Sequence, residues 1–308
     1  PSTPSVFNFL IGNNTSVRNL NIAGDFLIGQ GVEFRAGVFN AIHNISLGGD
    51  LTVNGVLDLS NAAQYAIATN GAAIFTFTGT CDATLTGTGN VLDFYRLILD
   101  KGSDQTYELD ILHPRLRLFF PTNLPNAGAE PNPVIQKALW IRNGTLILRE
   151  GIMIPELSSG GNDFFIPING KLWIHGAVVH STLSTRPVIS NAGITVIGTL
   201  RVSSGMLRTN NAAGIVFQGQ ARIVVEGGEV TISQFRPSVA AGNHQASWTQ
   251  SGGVVTVNGI GQTIEDHPRF SLPLATHSFT MTGGTLNVSS PIESNRGLVI
   301  GSDAGNTT

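Results

Sequence analysis

The chain has 308 residues, 41% of them hydrophobic and only 12% charged, with 37 glycines and a net charge of −3. Ordinary hydrophobicity with little charge excludes an intrinsically disordered chain and leaves ample material for a core. The weak negative charge gives no electrostatic reason for a nucleic-acid or anionic-membrane partner, and no run of roughly 18 apolar residues is present to cross a bilayer as a helix.

Short alternating segments bounded by glycine or asparagine follow one another along the chain. A recurring phrase, a glycine-containing turn and then an alternating strand, begins at Gly24-Asp25 and again at Gly49-Asp50, which leads into Leu51–Leu59. Ile74–Thr78 and Ala83–Gly87 continue the strand signal, followed by Asp93–Gly102. The pattern breaks over 113–133, where Pro114, Pro121, Pro125, Pro131 and Pro133 surround Arg115, Arg117, Phe119 and Phe120. Such proline density forbids a central strand and reads as an inserted loop or a seam. The phrase resumes at Asn143-Gly144, at Asn169-Gly170 before Lys171–His175, and at Ile197-Gly198 after Ile194. It is plainest at Gly227-Gly228, Gly252-Gly253 and Gly283-Gly284, with a milder irregularity over 260–277. No stretch of a dozen residues carries a helical stripe.

Successive phrases within each half lie 25 to 31 residues apart while the intervening sequence drifts, the signature of a solenoid. The expected fold is all-β, a right-handed parallel β-helix with coils of about 25–31 residues. Residues 1–112 form one block of coils, 113–133 the loop or seam, and 134–308 a second block continuing beyond the sequence given. Antiparallel hairpins are the alternative reading of the Asn-Gly turns. Stacking predicts that Gly228, Gly253 and Gly284 align. Val230 and Ile232, Val255 and Val257, and Leu286 and Val288 then form inward ladders, while Thr231, Thr256 and Asn287 face outward.

Chemistry is harder to find. A glycosidase needs two carboxylates about 5 to 9.5 Å apart, and here the acids are scattered; only Glu265-Asp266 are adjacent. Asp25 and Asp50 each follow a glycine and read as turn residues bonding their own backbone. Lys101-Gly102-Ser103-Asp104 reads as a tight turn. Cys81, the single cysteine, lacks a positive neighbour and reads as a small filler of a strand position. Of the seven histidines, His175 and His180 are five apart, which points them to opposite faces of a regular strand. No catalytic or metal-ligating residue is identified, no cofactor is implied, and no ligand-binding residue is assigned. Trp140, Trp173 and Trp248 would stack on sugars if they faced outward, but alternation alone leaves their orientation open.

Asp93-Phe94-Tyr95-Arg96-Leu97-Ile98-Leu99-Asp100-Lys101-Gly102 resembles a phrase of very large secreted proteins of Bacteroidota, where it typically reads Phe-x-x-Leu-x-Ile-x-Lys. Gly49-Asp50-Leu51-Thr52-Val53 resembles the Gly-x-Leu-x-Val phrases that follow it there. The resemblance implies the β-helical region of a cell-surface protein exported by the type IX pathway, some members of which are adhesins, including gliding-motility adhesins. It therefore implies an extracellular, non-enzymatic adhesin or surface-fibre segment, a stiff rod presenting polar ladders and loops. Its partners would be surface glycans, other cell-surface proteins and the rest of a larger parent chain. The alternative is a carbohydrate-active β-helix, either a lyase or hydrolase or a glycan-binding module; a purely structural spacer or phage-type fibre is a third reading.

Overall fold

The computed structural model describes residues 7–10, 16–37, 41–60, 71–119, 138–154, 157, 163–181, 193–209, 214–238, 245–259, 270–274, 276–289 and 292–294. They are all-β: strands, bends and turns occur, and no helix is present among the described residues. The chain divides into two compact units, Pro1–Ile147 and Leu148–Thr308. Every strand pairing in either unit whose register is known is parallel, so the Asn-Gly turns do not make hairpins.

Unit 1 begins with β1 (Phe7–Leu10), then β2 (Asn19–Ile22), β3 (Phe26–Ile28) and β4 (Val32–Arg35). The next layer is β5 (Ile42–Leu47), β6 (Leu51–Val53) and β7 (Val56–Asp58), and the third is β8 (Ala72–Phe77), β9 (Ala83–Thr86) and β10 (Val91–Phe94). β11 (Arg96–Asp100), β12 (Glu108–Ile111) and β13 (Leu116–Leu118) form a fourth, and β14 (Leu139–Arg149) begins in this unit. Each layer gives one strand to each of three ladders, always in the same order. The first ladder is β2, β5, β8, β11 and β14; the second is β3, β6, β9 and β12; the third is β1, β4, β7, β10 and β13.

Alternation sends every second side chain inward, and the parallel register stacks like on like. The columns Leu20–Ile45–Phe75–Leu97–Leu139 and Ile22–Leu47–Phe77–Leu99–Ile141 come from the first ladder. Phe26–Leu51–Leu85–Ile111 and Phe34–Leu57–Leu92–Leu116 come from the other two. Phe75, Phe77 and Phe94 are fully buried, with the Phe75 ring 5.2 Å from Phe77 and 5.4 Å from Phe94. Each such side chain contributes roughly 1.5–3 kcal/mol on burial. β13 lies inside the proline-rich segment, where no central strand was expected. In sequence Pro114 and Pro121 flank it instead of interrupting it, and among the described residues it pairs only with β10. Residues 120–133, the bulk of that segment, lie outside the described residues.

Unit 2 contains β15 (Met153–Ile154), β16 (Phe164–Ile166), β17 (Gly170–His180), β18 (Ile194–Val196) and β19 (Thr199–Arg208). It continues through β20 (Ile215–Phe217), β21 (Arg222–Val225), β22 (Glu229–Ile232), β23 (Phe235–Pro237), β24 (Ser247–Gln250) and β25 (Val254–Val257). β26 (Phe270–Leu272), β27 (Ser278–Met281), β28 (Thr285–Val288) and β29 (Ile292–Ser294) complete it. Again there are three parallel ladders. β16, β18, β20, β23, β26 and β29 form one. The first halves of β17 and β19 head the ladder of β21, β24 and β27, and their second halves head that of β22, β25 and β28.

The expected registers of the Gly-Gly phrases are those observed. Val230, Val255 and Leu286 stack, as do Ile232, Val257 and Val288, with Thr231, Thr256 and Asn287 between them. Gly228 and Gly253 adopt φ of +72° and +70°, and a Cβ on Gly253 would sit 2.7 Å from the Gly227 carbonyl carbon of the layer beneath. Glycine is required there both for the left-handed backbone and for the close approach between layers. The core is aromatic: Trp248 lies 5.0 Å from Phe235 and 5.2 Å from Phe270, and Phe270 is 5.5 Å from Phe279.

Candidate functional site

Several residues marked by the sequence have structural roles. Asp25 and Asp50 do not bond their own backbone. Asp25 Oδ1 accepts the Asp50 N–H at 2.9 Å, 25 residues on, and Asp50 Oδ1 accepts the Thr84 N–H at 2.7 Å, 34 residues on. Asp82 repeats the device with the Glu108 N–H. These carboxylates join layers because the parallel stack carries each corner over the one before. Cys81 is exposed in a turn, not a filler within a strand.

Lys101 is fully buried. Its ammonium donates to the carbonyls of Cys81 at 2.7 Å and Thr78 at 2.9 Å and reaches the Gly48 carbonyl at 3.4 Å. Burial lowers its pKa, against the pull of Cys81, Asp82 and Asp50. Asp100 instead faces Asn143 at 2.7 Å and Arg142 at 3.3 Å, while Asp104 Oδ1 accepts the Thr106 N–H as a tight turn requires. Glu265, Asp266, His244 and His267 lie outside the described residues.

One cluster escaped sequence reasoning. On the outer side of the third ladder of unit 1, register pairs Arg35 with Asp58, Asp58 with Asp93, and Asp93 with Arg117. Arg35 Nη1 donates to Asp58 Oδ2 at 2.9 Å, and Ser60 Oγ donates to Asp58 Oδ1 at 2.8 Å. Arg117 grips both oxygens of Asp93 at 2.7 Å each. Both aspartates are completely buried. Burial, then the Asp58 charge, pushes the Asp93 carboxyl up to about 8 against the pull of Arg35. Burial also raises Asp58, opposed by Ser60, Arg35 and Arg117. The two carboxyl groups are register neighbours one layer apart, but with no exposed surface they cannot touch a polymer in this state. The legible signal was a charged residue between two apolar ones in Phe34-Arg35-Ala36, Leu57-Asp58-Leu59, Leu92-Asp93-Phe94 and Leu116-Arg117-Leu118.

The tryptophans divide. Trp248 is core, whereas Trp140 and Trp173 are half-buried on outer faces. Arg142 lies 3.9 Å over the Trp140 ring in unit 1, and Arg201 lies 3.9 Å over the Trp173 ring in unit 2. The Trp173 indole N–H donates to Ser203 Oγ at 2.8 Å, and His175 Nδ1 lies 2.6 Å from the same hydroxyl. Arg201 in turn donates from Nε and Nη2 to both oxygens of Glu226, at 2.9 and 3.0 Å. Lys171 Nζ is 5.0 Å from the ring. β17 shifts register between Ile174 and Val178, with Gly176 at φ +107°. The shift restores alternation out of phase, so His175 and His180 both take half-buried, outward-phase positions, one in each half of β17, and not the opposite faces expected of a regular strand. Among the described residues no group of three or more His, Cys, Asp or Glu is placed to hold a metal.

Two open grooves lie in unit 1. One of about 560 Å³ is lined by Gln30, Asn54, Thr88 and Asn90, and one of about 520 Å³ by Asp100, Asp104, Thr106 and Tyr107. Of these features, the Trp173 cluster alone combines an accessible aromatic ring, cations and a polarised hydroxyl on one face. Comparison with protein-family models, curated proteins and solved structures finds no match to this chain.

Proposed function

We propose that the stacked layers belong to a right-handed parallel β-helix, and that the chain is a segment of a non-enzymatic extracellular adhesin or surface fibre of the Bacteroidota type that its sequence resembles. The observation that carries this reading is the outer surface of the ladders. In unit 1, Asn44 Nδ2 donates to Asn19 Oδ1 and Ser46 Oγ to Asn21 Oδ1, while the Thr52 and Thr86 hydroxyls lie 3.4 Å apart. In unit 2 Thr231, Thr256 and Asn287 stack in register as an outward column of neutral polar side chains. Ladders of neutral hydrogen-bonding groups on a stiff stack suit repeated weak contacts with a surface. The buried Asp58 and Asp93 offer an enzyme nothing to work with in this state.

The Trp173 cluster favours a second reading within the first, in which the segment recognises glycans. Beads bearing the purified protein should adhere to surfaces coated with cell-surface glycans or envelope proteins and resist flow. Failure to adhere to any such coat would remove the adhesin reading.

A further inference from the structure

We infer that the outer face of β17, β19 and β21 in unit 2 is a docking surface for an anionic polysaccharide, with Trp173 as platform and Arg201 and Arg222 as cations. The inference rests on the glycan-recognising form of the function proposed above and names its ligand class.

Register builds the face. Lys171, Thr199 and Arg222 share one column, and Trp173, Arg201 and Val224 the next. The same columns continue as Ser247 and Ser278 and as Thr249 and Thr280 on β24 and β27. Charge is therefore confined to three adjacent layers, and hydroxyls follow it along the stack. The buried partners Leu172, Ile174, Leu200, Val202, Ile223 and Val225 hold these strands rigidly from below.

Arg201 is preorganised. Glu226 holds its Nε and Nη2, the indole lies against its plane, and Nη1 takes no part in the carboxylate pair. A guanidinium fixed in this way meets a ligand carboxylate or sulfate without losing side-chain freedom. Arg222, exposed on the next layer, supplies a second fork, and Lys171 adds positive charge beside the ring. Glu226 is matched to Arg201, and the described register neighbours of the exposed Arg222, Thr199 and Ser247, are neutral. Arg222 thus places positive charge on this face of a chain whose net charge is −3. Layers about 4.8 Å apart are close to the length of one sugar unit. A polysaccharide lying along the columns therefore presents a fresh ring or acid group to each layer. The half-exposed indole, one face of which carries the Arg201 guanidinium, offers its remaining apolar surface to a sugar's C–H groups.

The test is calorimetric titration of the 308-residue chain with alginate, dextran sulfate, neutral dextran and single-stranded DNA, at low and high salt. Alginate or dextran sulfate should bind and dextran should not, with affinity falling as salt rises. Alginate alone would assign a carboxylate ligand, dextran sulfate alone a sulfate. Trp173→Ala and the pair Lys171→Gln/Arg222→Gln should each weaken binding about tenfold, while Arg142→Gln in unit 1 leaves it unchanged. Unaltered circular dichroism would verify the fold of each variant. Absence of binding, binding indifferent to these variants, or tighter binding to DNA would overturn the inference. Dextran binding that Trp173→Ala abolishes would overturn the anionic assignment but leave glycan recognition standing, whereas cleavage of any polymer would count against the non-enzymatic function instead.

Discussion

Arg35, Asp58, Asp93 and Arg117 form a column of four ionisable groups with two carboxyls at its centre. Arginine forks at either end offset part of the desolvation cost, but removing one partner from such a set strands a buried charge. Because the Asp93 carboxyl is raised to about 8 in the folded chain, the fold holds a proton that the unfolded chain releases at ordinary carboxylate pH. Its contribution to stability is full below that lower pKa and disappears as pH rises through about 8. The melting temperature of unit 1 should therefore fall between neutral and alkaline pH, and Asp93→Asn should flatten that slope even if it lowers the whole curve. An unchanged slope in Asp93→Asn would place the proton elsewhere.

At the scale of elements, glycine corners govern how closely layers approach. Gly253→Ala would force a Cβ to 2.7 Å from Gly227 in a left-handed backbone, and should cost about 2–3 kcal/mol in denaturant unfolding. Gly24, with nothing within 4 Å of such a Cβ, should accept alanine with a change below about 0.5 kcal/mol. Equal effects at the two sites would contradict the stacked corner. The same corners explain what was legible beforehand. Gly-Gly marks the start of β22, β25 and β28, so their registers and inward columns could be read directly. The third ladder of unit 1 has no such mark. Arg35 and Asp58 are 23 residues apart and Asp93 and Arg117 are 24 apart, but a longer excursion separates Asp58 from Asp93, and that variable gap hid their pairing. Trp173 was unreadable for another reason: it alternates with Leu172 and Ile174, and only the register of β17 against β19 decides which set faces the core.

For the whole molecule, two units of the same construction bury their apolar columns and leave outward rows of Asn, Ser and Thr, with cations gathered around one tryptophan. Asp58, Asp93 and Lys101, whose pKa values burial displaces, are sealed from solvent. Such burial suits binding by an outer face. The most direct test is to incubate the protein with a panel of neutral and acidic polysaccharides, scoring retention on each polymer and release of new sugar ends in the same samples. Retention without new ends is the predicted result. New ends released by wild-type protein and lost in Asp58→Asn or Asp93→Asn would contradict it and make the buried column a catalytic pair.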